Sequence, residues 1–165
     1  MFTCKVTPEA EKDFQGKLDL LDLGPIKDKI LFSNGYDIQL INEMEVWYKR
    51  FLFLNFKYAG SIVPNELVDE FWHFHILDTR KYAADCEMLF NELLHHFPYF
   101  GMRGEDDRKN LNQCYEETKK LFLKEFGSIP FMNEDIQEIL KASPLELMEK
   151  AASCSDCSGA AGTGT

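Results

Sequence analysis

The stretch Asp37-Ile38-Gln39-Leu40-Ile41-Asn42-Glu43-Met44-Glu45-Val46-Trp47-Tyr48-Lys49-Arg50-Phe51-Leu52-Phe53-Leu54 decides the fold. Leu40, Ile41, Met44, Trp47, Tyr48, Phe51, Leu52 and Leu54 recur at three- and four-residue intervals, the period of an α-helix. They cover more than half of its circumference. A surface helix needs only one apolar stripe, so a helix with this much apolar surface belongs in the middle of a bundle.

Helical signals continue on both sides. Thr7 followed by Pro8 is a cap with a proline in the first turn, opening a helix over 8–23 with Phe14, Leu18 and Leu21 at helical spacing. Gly24-Pro25 breaks it, and a short helix over 25–33 with Ile26, Ile30 and Leu31 ends at Ser33-Asn34-Gly35. The central helix is expected to run from Asp37 to Ala59. After the connection Gly60-Ser61-Ile62-Val63-Pro64-Asn65 comes an apolar-periodic segment from Glu66 to Phe97. That is long for one globular helix, so a break is expected near Asp78-Thr79. Phe97 to Gly104 reads as a loop and 105–126 as a helix ended by Gly127-Ser128-Ile129-Pro130. A short helix over 133–141 follows, then a last one capped by Ser143. From Ser153 only small and polar residues occur, the composition of a mobile segment. There is no internal repeat and no run of strand alternation. The expected architecture is all-α: a single-domain helical bundle of about six to seven helices over 1–152, with a flexible C-terminal tail over 153–165.

Composition sets limits on function. The chain has 165 residues, with 45% hydrophobic residues and 13% aromatic, enough apolar area to offset the entropy of folding one domain. Its net charge of −10 repels phosphate backbones, so no nucleic acid is expected as a partner. No apolar run approaches the roughly 18 to 20 residues of a membrane span, so no membrane partner is expected. Met1 to Pro8 lacks the apolar centre of a signal peptide, and the five cysteines are irregularly spaced, so the expected compartment is the cytosol.

Only four histidines occur, as the pairs His73/His75 and His95/His96, and such clustering raises the question of metal ligation. On a regular helix His73 and His75 point about 160° apart, so one ion cannot take both. One bland reading makes His75 a hydrogen-bonded core histidine beside Phe71 and Ile76. Two sharper patterns compete. Glu70-Phe71-Trp72-His73 and Glu92-Leu93-Leu94-His95 are both Glu-x-x-His, the pair of motifs that carboxylate-bridged di-iron bundles combine with two further glutamates. Glu43 or Glu45 and Glu116 or Glu117 could supply those. Against it, the motifs lie close together with no strong breaker between them. The mononuclear alternative sets Asp69 and His73 on one face at i, i+4, while Asp78 or His75 could face a pocket with His95 or His96. Iron or zinc is the expected ion in either case. No nucleophile elbow, P-loop or dinucleotide fingerprint is present. Cys154-Ser155-Asp156-Cys157 is half a zinc site or a target for a modifying enzyme. Cys86 and Cys114 read as small core residues. The aromatic loop Phe97-Pro98-Tyr99-Phe100 is expected to cover the bundle end, and Glu105 to Asp107 to favour the next helix N-terminus.

Val68-Asp69-Glu70-Phe71-Trp72-His73-Phe74-His75-Ile76-Leu77-Asp78-Thr79-Arg80-Lys81-Tyr82, then Asp85-Cys86 and Leu94-His95-His96-Phe97-Pro98-Tyr99, resembles the glycine-rich domain-containing protein-like family over roughly residues 60–105. The resemblance implies a helical domain and no settled enzymatic activity. Three functions follow from the residues. The first is metal binding through some of His73, His75, His95, His96, Asp69, Glu70 and Glu92. The second is a helical module that binds a protein partner without chemistry. The third is a folded carrier whose Cys-x-x-Cys tail is modified by another enzyme.

Overall fold

Side chains set where each helix begins. Helix α1 (Pro8–Leu20) starts where the Thr7 side chain accepts a hydrogen bond from the Ala10 amide at 3.3 Å, with Pro8 in the first turn. Helix α2 (Gly24–Asn34) closes on Gly35, whose φ of 64° is left-handed and costs glycine nothing. Helix α3 (Ile38–Lys57) is capped by Asp37, which accepts from the Gln39 amide at 2.6 Å. Asn65 caps helix α4 (Glu66–Leu77) by accepting from the Val68 amide at 3.0 Å. Asp78 serves both sides of a break: its N–H donates to the His75 carbonyl, and its carboxylate accepts from the Lys81 amide at the start of helix α5 (Thr79–Phe90). Helix α6 (Glu105–Phe126) has Glu105, Asp106 and Asp107 in its first turn, where the helix dipole favours negative charge.

This computed structural model describes residues 3, 4 and 6–131. The chain divides into two compact units, 1–130 and 131–165, and of the second only Phe131 is described. The helices expected over 133–141 and from Ser143, and the tail over 153–165 with Cys154 and Cys157, lie outside the described residues. The six helices of the first unit make it all-α, as expected.

Three boundaries differ from expectation, the first being the end of α1, at Leu20 rather than at residue 23. The break at Asp78 is present, but α5 ends at Phe90 rather than Phe97. Asn91 takes the left-handed conformation at φ 57° and ends the helix, a conformation that Asn tolerates better than most residues. The central helix stops at Lys57, because strand β2 (Tyr58–Ala59) pairs antiparallel with strand β1 (Thr3–Cys4). Two residues per strand are too few to show alternation in a sequence.

Helix α3 packs against α1, α2, α4 and α6, while α4 packs also against α2 and α5. Ile41, Met44, Tyr48, Phe51 and Leu54 of α3 and Val68 and Phe71 of α4 are fully buried. The Tyr48 ring meets Phe71 at 5.1 Å and Phe51 meets Trp72 at 5.0 Å, joining the two helices with aromatic contacts. Phe14 of α1 stacks on Phe56 at 4.0 Å and tilts against Phe90 of α5 at 5.4 Å. Trp47 reaches Phe122 of α6 at 5.6 Å. Losing a fully buried ring such as Phe14, Phe51 or Phe71 to alanine costs about 3–5 kcal/mol.

A polar tie crosses the same helices. Lys57 at the end of α3 donates to Glu11 of α1 at 3.1 Å and to Glu125 of α6 at 2.7 Å. Tyr58 also donates to Glu125, and Lys124 donates to the Tyr58 hydroxyl at 2.9 Å. Burial opposes the charge on Lys57, but its bonds to Glu125 and Glu11 outweigh burial and raise its pKa. Among the described residues, no helix is long and apolar enough to cross a membrane.

Candidate metal centre

Helix α4 sends its chemistry-bearing residues in different directions. Asp69 and His73, one turn apart, share a partly solvated face. Trp72 and His75 point into the protein and are buried. Glu70 points toward α2, where it accepts hydrogen bonds from the Asn34 amide group and from the Tyr36 hydroxyl, the latter at 2.9 Å. Burial, helped by that carboxylate, pushes the Tyr36 phenol up to about 12.

On the outward face, one imidazole approaches each oxygen of the Asp69 carboxylate. His96 Nε2 lies 3.2 Å from Oδ1, and His73 Nδ1 lies 3.6 Å from Oδ2. The two imidazole rings are 4.5 Å apart, and one donor atom from each of the three residues falls within 4.8 Å of the others. Donors bound about 2.1 Å from a common ion stand about 3.0–3.4 Å apart in octahedral or tetrahedral geometry. The three side chains therefore need only small rotations to share one ion.

A second set of contacts holds these side chains in place. His96 comes from the irregular segment after α5, and its ring packs edge-on against Trp72 at 4.7 Å. The Trp72 indole N–H donates to the Tyr82 hydroxyl at 2.9 Å. That hydroxyl in turn donates to the carbonyl of Leu94, two residues before His96. One buried oxygen on α5 thus ties the helix that carries His73 to the segment that carries His96. Burial raises the Tyr82 pKa and keeps the hydroxyl protonated as a donor.

His75 lies beneath the centre and is almost fully buried. Its Nε2 is 2.9 Å from Asp85 Oδ2, and its Nδ1 is 2.9 Å from the Tyr48 hydroxyl. A carboxylate can only accept, so Nε2 carries the proton and Nδ1 accepts from Tyr48. Lys81 also reaches Asp85 Oδ2 at 2.9 Å. Burial lowers the His75 pKa despite the opposing pull of Asp85, so this is a neutral core histidine with both nitrogens occupied.

The remaining residues of the sequence reading are dispersed. Glu92 and His95 lie beyond the end of α5, so Glu92-x-x-His95 is not on a helix, and both side chains are exposed. Glu43 accepts from the Trp47 indole, Glu45 pairs with Lys27 and Lys49, Glu116 pairs with Lys119, and Glu117 accepts from Gln113. The two glutamate–histidine motifs are not brought together around a dinuclear centre. Asp78 is used in capping. Cys86 is buried as expected, but Cys114 is only half-buried and bonds to Asn110. Spacing marks Tyr48, Trp72 and Tyr82 only as apolar positions of their helices, because the polar role of their hydroxyl and indole groups acts across helices.

Beside the centre lies an open groove of about 720 Å³. Asp69, Trp72, His95 and His96 line it. The 60–65 connection, Phe97, Pro98, Phe100 and Arg103, and Asn110 and Leu111 near the start of α6 line it as well. Asp107 holds this loop by accepting from the Gly101 and Arg103 amides and from the Arg103 guanidinium at 2.7, 3.2 and 2.7 Å. Contrary to expectation, Phe97 and Tyr99 do not cover the bundle end. They are 52% and 60% exposed.

No curated protein and no solved structure matches the chain. A family model described as UCP032817-like matches residues 34–122, from the end of α2 into α6. The match spans Asp69, His73 and His96 and the residues that position them. It also overturns the kinship with the glycine-rich domain-containing protein-like family, which rested on short blocks between residues 60 and 105. Those blocks cover most of α4, part of α5 and the segment after it, a smaller part of the fold than the continuous match covers. A match over more than half of the sequence makes the chain a member of the UCP032817-like family.

Proposed function

We propose that the protein binds a single divalent transition-metal ion through Asp69, His73 and His96. The observation that carries this reading is the Asp69 carboxylate, with an imidazole nitrogen 3.2 Å from one oxygen and 3.6 Å from the other. Two imidazoles and one carboxylate suit iron or zinc, and they leave coordination positions open. An ion held this way supplies Lewis acidity and lowers the pKa of bound water. Trp72, Tyr82 and the Leu94 carbonyl support the reading, because outer groups that fix ligand orientation are typical of metal sites. The net charge of −10 and the lack of a membrane-spanning helix among the described residues favour a cytosolic protein that does not bind nucleic acid.

Elemental analysis of the untagged protein and of His73→Ala tests the proposal. Near-stoichiometric iron or zinc that disappears in the variant is the expected result. A metal-free wild type after anaerobic reconstitution with either ion overturns it. A second reading, a metal-free module that docks a protein partner, draws on the exposed Phe97, Tyr99 and Met102. That reading predicts histidine variants that bind no less metal than wild type.

A further inference from the structure

We infer that the groove beside Asp69 and His96 binds a small organic molecule with two chelating oxygens at one end and an aromatic or aliphatic body. This rests on the metal reading and extends it to the class of ligand.

Two of the three proposed metal ligands, Asp69 and His96, are also walls of the groove. An ion between them is therefore reached from the groove. With one carboxylate and two neutral imidazoles, a divalent ion keeps a net positive charge there, which favours an anionic oxygen donor. Three protein ligands leave adjacent positions free, so a chelate with two oxygens displaces bound water without displacing protein.

The rest of the groove selects the body of the ligand. Its volume of about 720 Å³ falls in the usual range for small-molecule sites. Trp72, Ile62, Pro64, Phe100 and Leu111 line it and offer an apolar surface. A second anionic group would find poor partners. Arg103, the one guanidinium in the lining, already pairs with Asp107 at 2.7 Å and lies over the Phe97 ring at 4.9 Å. Glu66 adds a further negative charge. The groove therefore disfavours phosphorylated compounds and favours a single chelating head on an apolar body.

The test uses the full chain loaded with Co(II), whose visible spectrum reports its ligands. Acetohydroxamate and benzohydroxamate share the same chelating head and differ in the size of the apolar body. Both should alter the Co(II) spectrum, with benzohydroxamate binding at least tenfold more tightly. Phe100→Ala, which leaves the metal ligands in place, should shrink that ratio while acetohydroxamate affinity stays within about twofold. Equal affinities for the two probes, or a Co(II) spectrum that neither changes, would overturn the ligand assignment and leave the metal site standing. No Co(II) spectrum at all, or one unaltered by His73→Ala, would instead overturn the metal reading on which the assignment rests.

Discussion

The Tyr82 hydroxyl accepts from the Trp72 indole and donates to the Leu94 carbonyl. The first bond is buried and the second part-buried, so removing the oxygen leaves an indole N–H and a carbonyl without this partner. Tyr82→Phe should cost about 1–3 kcal/mol of stability. If the clamp also aims His96, the same change should weaken metal binding about 10–100-fold, the usual effect of losing an outer-shell partner. Metal affinity equal to wild type in a folded Tyr82→Phe protein would make the clamp purely structural. Tyr48→Phe is the contrasting change. It removes the donor to His75 Nδ1 beneath the centre, so urea unfolding should again show a loss of about 1–3 kcal/mol, but with little change in metal affinity. At this scale the sequence is informative only while the backbone is regular. Helical rotation separates His73 from His75 and pairs Asp69 with His73, and both relations hold in the structure. It could not choose between His95 and His96, because that segment follows the end of α5 and has no period. There the choice is set by Leu94, pinned by Tyr82, and by the Trp72 ring under His96.

The Thr7 cap and the breaks at Gly24-Pro25, Ser33-Asn34-Gly35, residues 60–65 and Asp78-Thr79 made the elements legible. Thr7, Asp37, Asn65 and Asp78 each place a polar acceptor one turn before an apolar-periodic run, and each begins a helix. The early end of α5 was hidden because Leu93 and Leu94 continue the apolar pattern, while Asn91, a weaker stop than glycine, ends the helix. The β1–β2 pair was hidden by its length. The tie from Lys57 to Glu11 and Glu125 was not legible either, since it joins residues far apart in the chain. It makes a pH-dependent prediction about how α1, α3 and α6 hold together. Burial alone would raise the Glu125 pKa, but hydrogen bonds from Lys57 and Tyr58 overcome it and hold the carboxyl below its usual value. A carboxyl depressed in the folded state contributes stability above its unfolded pKa of about 4.3, and that contribution is lost as pH falls through the folded value. Lys57, raised in the folded state, contributes fully below about 10.4 and loses that contribution as pH rises through its folded value. Urea midpoints measured from pH 5 down to pH 2 should therefore fall more steeply for wild type than for Glu125→Gln. Equal slopes would show that the tie adds no stability.

For the whole molecule, the central apolar helix made the fold class readable, because a helix that buries most of its surface needs neighbours on several sides. The contacts of α3 with α1, α2, α4 and α6 supply them. Function was less legible, since the proposed ligands come from α4 and from an irregular segment that meet only after α4 and α5 fold back on each other. This junction has a consequence for stability. A metal ion that bridges Asp69 and His73 of α4 to His96 binds the folded chain and not the unfolded one, so it should stabilise the fold by mass action. At a free metal concentration about 100-fold above the dissociation constant, the gain is about 2.7 kcal/mol, or a rise in Tm of about 5–10 °C for a unit of this size. The thermal transition of chelator-treated protein, followed by circular dichroism, should rise by this amount when Zn(II) is restored. Asp69→Asn should remove most of the rise, because it exchanges the anionic ligand for a neutral one. His95→Ala should keep it, since His95 lies outside the three-residue cluster. A rise of equal size in all three proteins would place the stabilising metal somewhere other than the junction of α4 with the segment after α5.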